Sequence, residues 1–318
     1  MHIAQTHCKH VNKNIPTRLF TLMATTKNDT INMTDSDIPQ YLYKYRSADS
    51  YSLDALFNSY AVFTGRKNFN DLFDSNIMLI KPTPKDIKQL RDSHRGKAFD
   101  HFSRFLKGTV FSKFGKDQIH IAKKRLESLI DEYLFYCVAE HDNNNLMWAH
   151  YANSHKGFCI EFNSRMLGSP SKVKYQKTIP EFRLTDAFDL TFSGEWRLET
   201  AFDNSDRTGQ IIWDALRTKL VEWEYEKEYR VQPPERDIQH LPPPNETVPI
   251  LRYDETFIAS IIFGCRMPDA DRVKIVQGMR YPVKYKKAVK ETSTIGIYEL
   301  TDEERIRYGV STNLGTLG

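Results

Sequence analysis

Residues 223–231 read Trp223-Glu-Tyr-Glu-Lys-Glu-Tyr-Arg-Val231. The alternation predicts an extended strand, with Glu224, Glu226, Glu228 and Arg230 on one face and Trp223, Tyr225, Lys227 and Tyr229 on the other. Three carboxylates in a row repel each other. A chain keeps such a row when the carboxylates sit in water, when they meet cations, or when they work as a site. The stretch is therefore either a solvated edge strand or the floor of a functional site.

Working outward, Ser205 or Asp206 can cap a helix running to about Val221, with Ile212, Ala215, Leu216 and Leu220 toward the core. Pro233-Pro234 ends the strand on the other side. Farther upstream, Tyr41–Arg46 reads as a strand with Lys44 and Arg46 on one face. A helix over Ser52–Tyr60 and a strand over Ala61–Thr64 follow. Gly65–Asp74 is a loop, with Asn70-Asp71 turning between buried Phe69 and Phe73. Pro84–Lys107 and Lys116–Phe135 carry helical spacing. Strands are expected at Leu134–Ala139, Gly157–Phe162, Pro170–Lys177, Thr256–Phe263 and Thr294–Leu300, and helices at Leu146–Ala152 and Asp269–Met279.

Short strands interleaved with helices, without regular β-α alternation, predict an α+β fold with a mixed, mainly antiparallel sheet and an inserted helical pair. Residues 1–40 lack periodicity and are expected to be a mobile tail. Residues 41–300 form one domain with a basic helical insertion at 81–132, and 301–318 form a C-terminal tail.

No apolar run approaches the ~18 residues needed to cross a bilayer, so no membrane partner is expected. The formal net charge of +4 does not by itself imply nucleic acid. From Lys81 to Ile130, however, thirteen Lys or Arg stand against five Asp or Glu, a local excess of 13 − 5 = +8. That region is either a solvated helical face or a surface for nucleic acid. The four cysteines show no C-x-x-C spacing, which fits free thiols in a reducing cytoplasm.

Three blocks stand together: Tyr43-Lys-Tyr-Arg46 with Phe69-Asn-Asp-Leu-Phe-Asp74; Met147-Trp-Ala-His-Tyr151 with His155-Lys-Gly-Phe-Cys-Ile-Glu-Phe162; and Trp223-Glu-Tyr-Glu-Lys-Glu-Tyr-Arg230. Together they resemble a large family of uncharacterised bacterial domains, many encoded near phage-defence genes. That family usually has proline where this chain has Leu72, so the local turn departs from its pattern.

A second resemblance supplies a reaction. Arg46 on a first strand, Phe63-Thr64 on a second and Glu226-Lys-Glu228 on a late strand are similar in order to the Arg, Ser/Thr, Glu-x-Glu pattern of ADP-ribosyltransferases. This chain lacks the Ser-Thr-Ser triplet and has a longer middle. The resemblance implies NAD as cofactor or co-substrate, in an ADP-ribosyltransferase or NAD-glycohydrolase with a defence or toxin role. Glu228 would stabilise the ribosyl cation and Glu226 would orient or deprotonate the acceptor. Arg46 would hold the pyrophosphate and Thr64 the ribose, with Trp148 or Tyr151 stacked on nicotinamide. Tyr45, Asn70, Asp71 and His150 complete the expected cofactor-binding set. Packing and structural ion pairs are the competing roles for the aromatic residues and for Arg46.

Two other classes remain open. Asp71, Asp74, Glu161, Glu226 and Glu228 are enough carboxylates to hold Mg²⁺ in a nuclease or phosphoesterase. The Trp-Ala-His-Tyr helix and the Glu-Lys-Glu strand could instead form the groove of a non-enzymatic sensor. No zinc is expected, because His141, His150 and His155 lack ligand spacing.

Overall fold

The computed structural model describes residues 38–187, 212–233, 237–242 and 247–310. Eight strands make the central sheet: β1 (Tyr41–Arg46), β2 (Tyr136–Ala139), β3 (Phe158–Asn163), β4 (Ser171–Lys172), β5 (Glu228–Val231), β6 (Ile258–Phe263), β7 (Lys284–Lys290) and β8 (Ile295–Glu299). Their order is β8-β7-β6-β3-β1-β2-β5-β4. Only the β6–β7 pairing is parallel among these neighbours. The fold is α+β with a mixed, mainly antiparallel sheet.

Strand alternation divides the core. On one face Leu42, Tyr136, Val138, Phe158, Ile160, Phe162, Tyr229 and Val231 pack with Leu53 and Leu56 of helix α1 (Ser50–Phe57) and with Ile275 of the helix Asp269–Gly278. On the other, Tyr45, Ala139, Cys159 and Ile262 pack against Met147 and Trp148. Fully burying one such side chain contributes roughly 1.5–3 kcal/mol, so both layers are needed.

Between α1 and β2 the chain builds the basic insertion. It contains three helices rather than two: α2 (Pro84–Ser93), α3 (Gly96–Ser103) and α4 (Lys113–Glu132). The helix expected over Pro84–Lys107 breaks at Gly96, whose φ of +60° suits glycine, and a hairpin pairing Leu106–Lys107 with Val110–Phe111 precedes α4. Ile87, Phe102, Phe105, Ile119, Leu126 and Ile130 give the insertion its own core, which extends to Phe135, Phe182 and Leu216.

Several other expectations change. The chain preceding the acidic stretch is helical at 212–216 and then forms a strand, Thr218–Leu220, parallel to Lys174–Gln176. The start of the helix expected from Ser205 lies outside the described residues, as does most of the expected N-terminal tail. Pro39 and Gln40 belong to the fold, because their carbonyls accept from Ser164. The expected C-terminal tail begins as a helix, Asp302–Tyr308, capped by Thr301 and Glu304, with Tyr308 buried. Phe73 is half exposed, because the turn at Asp71 points it outward.

Helix α5 (Asn145–Tyr151) crosses to β3 through Asn153, Ser154 and His155, all at positive φ. Gly157 and Gly264 permit a close approach there: a Cβ on Gly264 would stand 2.3 Å from the His155 carbonyl oxygen. Gly264→Ala is expected to cost about 1–3 kcal/mol, because backbone rather than a flexible side chain must yield. A urea unfolding midpoint unchanged by the substitution would refute that close packing.

Candidate functional site

The acidic stretch is not one strand. Val221–Glu226 forms a 3₁₀ turn, Lys227 takes a left-handed conformation (φ +44°), and only Glu228–Val231 enters the sheet. A left-handed non-glycine residue costs about 1–2 kcal/mol. Its effect is to turn Glu226 and Glu228 toward the same partner while Glu224 stays in solvent, paired with Lys227 at 2.9 Å.

That partner is Lys219. Its Nζ lies 2.6 Å from Glu226 Oε2, 3.3 Å from Glu228 Oε2 and 3.3 Å from Asp74 Oδ2. Arg230, fully buried, bonds Glu228 Oε1 through Nε at 2.8 Å and Asp74 Oδ1 through Nη2 at 2.5 Å. Its Nη1 donates to Ser75 Oγ and to the Leu216 carbonyl. The rings of Phe69 and Phe135 each lie 5.3 Å from the guanidinium. Tyr175 Oη accepts from the Glu228 backbone N–H at 2.8 Å. With all groups ionised the five side chains sum to −3 + 2 = −1.

The two glutamates live differently. Burial opposes charge on Glu228, but Arg230 and then Lys219 outweigh it and hold the carboxyl well below its usual range. Burial also raises Glu226; Lys219 counters it, and the neighbouring charge of Glu228 adds to the rise. Lys219 is shielded from water, yet Glu228, Asp74 and Glu226 together hold its proton more tightly than usual.

Glu226 is itself buried but is linked toward the surface through half-buried Tyr151 and exposed Asn70. The Tyr151 hydroxyl donates to Glu226 Oε1, and Asn70 Nδ2 donates to the Tyr151 oxygen at 3.2 Å. Burial, then the charge of Glu226, raises the Tyr151 phenol well above its usual range, so it stays a donor. Asn144 fixes this geometry: its Oδ1 caps α5 at Leu146 N and Met147 N, while its Nδ2 donates to the Tyr225 carbonyl at 2.6 Å. Helix and acidic turn are thereby joined.

Of the residues expected from sequence, Glu226, Glu228, Tyr151 and Asn70 converge. Asp71, the residue after Asn70, is buried; its Oδ1 accepts from Phe73 N, and its Oδ2 has no hydrogen-bond partner among the described residues. His150 is exposed, with its ring 6.2 Å from Tyr225 and 6.5 Å from Tyr151.

The others are elsewhere. Tyr43, Ala139 and Glu228 share a sheet face by register, so Arg46, three residues from Tyr43, points to the opposite face. Arg46 and Glu228 do not share a crevice. Trp148 is fully buried edge-on to Tyr45 at 5.1 Å, and its Nε1 donates to the Asp142 carbonyl, so it packs the core and cannot stack on a ligand. Tyr45 donates to the His141 carbonyl at 2.7 Å. Thr64 forms a two-way backbone bridge with Phe135 at the edge of the insertion. The pyrophosphate role expected of Arg46, the stacking role expected of Trp148 and the place of Tyr45 in the cofactor-binding set are therefore withdrawn.

Glu161 stands apart on β3, accepting from Ser260, Lys286 and Tyr43. Asp74, Glu226 and Glu228 converge on an ammonium and a guanidinium, and among the described residues no group of three or more His, Cys, Asp or Glu is arranged to hold a metal ion. Two shallow hollows, one beside Val283 and Leu300 and the other beside Met78 and Ile179, are lined by none of the cluster.

Residues 147–231 match a family model described as a protein of unknown function (DUF2971). No curated protein and no solved structure matches the chain. The matched segment contains Tyr151, Lys219, Glu226, Glu228 and Arg230, whereas Asn70, Asp74 and Ser75 are brought to them from outside it. Among the described residues no helix is long and apolar enough to cross a membrane.

Proposed function

We infer that the Glu226 centre acts on the N-glycosidic bond of NAD, as a glycohydrolase or an ADP-ribosyltransferase. The observation that carries this reading is the pair of glutamates split by environment around one lysine, with the raised one hydrogen-bonded by Tyr151, which Asn70 links to the surface. Of two carboxylates whose environments separate their proton affinities, the raised one is fitted to exchange a proton near neutral pH while the lowered one stays a fixed charge.

When the ribose C1′–nicotinamide bond breaks, the bonding electrons leave with nicotinamide and positive charge develops on the sugar. A fixed site with a formal charge of −1 favours that charge. Water or an acceptor hydroxyl then bonds to C1′, and Glu226 takes its proton, a task suited to a carboxylate of raised proton affinity. Tyr151, fixed by Asn70, is a positioning residue for Glu226. Glu228 changes role: fully occupied by Arg230 and Lys219, it holds the centre together and does not touch substrate. Without an acceptor, turnover would deplete NAD, the toxic outcome that the transferase resemblance implies.

Chromatography of NAD incubated with the protein tests this. Nicotinamide release is expected, falling by about 10²–10⁴ in Glu226→Gln. No release, or release unchanged by the substitution, would remove the reading. One observation favours recognition without chemistry: every charge of the cluster is paired within the protein. Cellular activity surviving Glu226→Gln would select that alternative.

A further inference from the structure

We propose that the helical insertion, residues 81–132, is a docking surface for duplex nucleic acid, gripped through its phosphate backbone. This surface does not involve the Glu226 centre. The excess of +8 between Lys81 and Ile130 exceeds the +4 of the whole chain, so the remainder carries 4 − 8 = −4. The charge is separated between the insertion and the rest.

Folding leaves that excess at the surface. The insertion buries Ile87, Phe102, Phe105, Ile119, Leu126 and Ile130 internally and against the neighbouring chain, and leaves Phe99, Val110 and Ile121 exposed beside the cations. Among the described residues only Arg91 and Lys123 of its thirteen cations form ion pairs, with Asp92 and Glu127. Asp86 is held by Thr83 in the cap of α2, so among the described residues Asp100 and Asp117 are the insertion's acids without an ion pair or cap bond. Lys113, Lys116 and Lys124 are exposed along α4. Eleven residues of helix span about 16 Å, comparable to five base-pair steps at roughly 3.4 Å each.

The hairpin brings a second set beside this row. Ser112 Oγ donates to the Arg104 carbonyl at 2.5 Å and the Arg104 guanidinium lies 4.1 Å over Phe114, which ties the end of α3 to the start of α4. Exposed Lys107 stands between them. A phosphate row meets cations there from two helices and a turn.

A duplex fits this surface better than a single strand does. Single strands need aromatic platforms for their bases, and the insertion's one exposed large aromatic, Phe99, lies under Arg91 at 5.5 Å. Arg95 Nη1 donates to the Asp92 and His94 carbonyls and Ser112 Oγ to the Arg104 carbonyl, so these loop side chains are engaged within the insertion rather than presented for base-edge readout. Binding is therefore expected to be insensitive to sequence and strongly dependent on salt.

Fluorescence anisotropy of the full chain with a labelled duplex of about 20 base pairs tests this across salt concentrations. The variant carries Lys113→Glu, Lys116→Glu and Lys124→Glu; two of these lie in the first turn of α4, where acids suit the helix dipole, so folding is preserved. A control carries Lys284→Glu and Lys290→Glu on β7. The triple variant is expected to lose at least tenfold in affinity and to show a log–log salt slope shallower by roughly 2–3, with the control unchanged. No duplex binding at low salt, equal loss in both variants, or preference for single strands or phosphatidylserine vesicles would overturn the proposal.

Discussion

Arg230→Ala is expected to lower the free energy of unfolding by about 3–5 kcal/mol, the usual consequence of removing one partner from a buried ionic group. The guanidinium bridges Asp74, brought by the loop before the insertion, to Glu228 on β5 at shorter range than Lys219, which reaches both at 3.3 Å. Loss of the guanidinium leaves Lys219 as the one cluster cation facing both carboxylates and removes the Arg230 donor from Ser75 and from the Leu216 carbonyl, which keeps its bond from Ser75 Oγ. Since a domain holds only about 5–15 kcal/mol in total, the variant should lose a large share of its stability and unfold at a clearly lower temperature. Arg230→Lys should recover part of the loss, because an ammonium keeps the charge but not the fork. Urea unfolding with a loss below about 1 kcal/mol would contradict this account of the cluster.

The second large effect separates the two glutamates. Glu228 has its folded proton affinity lowered, so its ionisation stabilises the fold at neutral pH, and that share is lost as pH falls below the ordinary value of 4.5. Glu226 is raised, so its charged form is penalised in the fold; its contribution is present at low pH and is lost as pH rises through the raised value. Glu228→Gln should therefore cost about 3–5 kcal/mol at pH 7, with a flatter acid limb than the parent. Glu226→Gln takes the cluster from −1 to neutral and should leave stability within about 1 kcal/mol of the parent. Acid titrations of the folded fraction read both.

Local patterning made much of the fold legible. Tyr41–Arg46 is a strand at the expected residues, and the α5 helix differs from its expected span by one residue. What failed needed tertiary information. Lys284–Lys290 went unread because five residues of Lys-Tyr-Lys-Lys-Ala look solvated, yet Tyr285 and Ala288 are buried within that strand. Lys219 was missed for a related reason: the chain around it reads as helix, and nothing local shows that an ammonium seven residues before Glu226 will be buried beneath it. The left-handed Lys227 is likewise invisible, because side-chain alternation presumes an unbroken strand. Asn70, Tyr151 and Glu226 were recoverable one by one, as a turn residue, a helix aromatic and a crowded acid. Arg46 misled because order along a chain carries no face, and the register of two neighbouring strands decided against it.

Unfolding free energies of Glu226→Gln and Glu228→Gln, taken side by side at pH 7, bear most directly on the division of labour between these residues. The structure predicts a near-neutral first substitution and a loss of several kcal/mol for the second. Equal losses, or a costly first and harmless second, would contradict it.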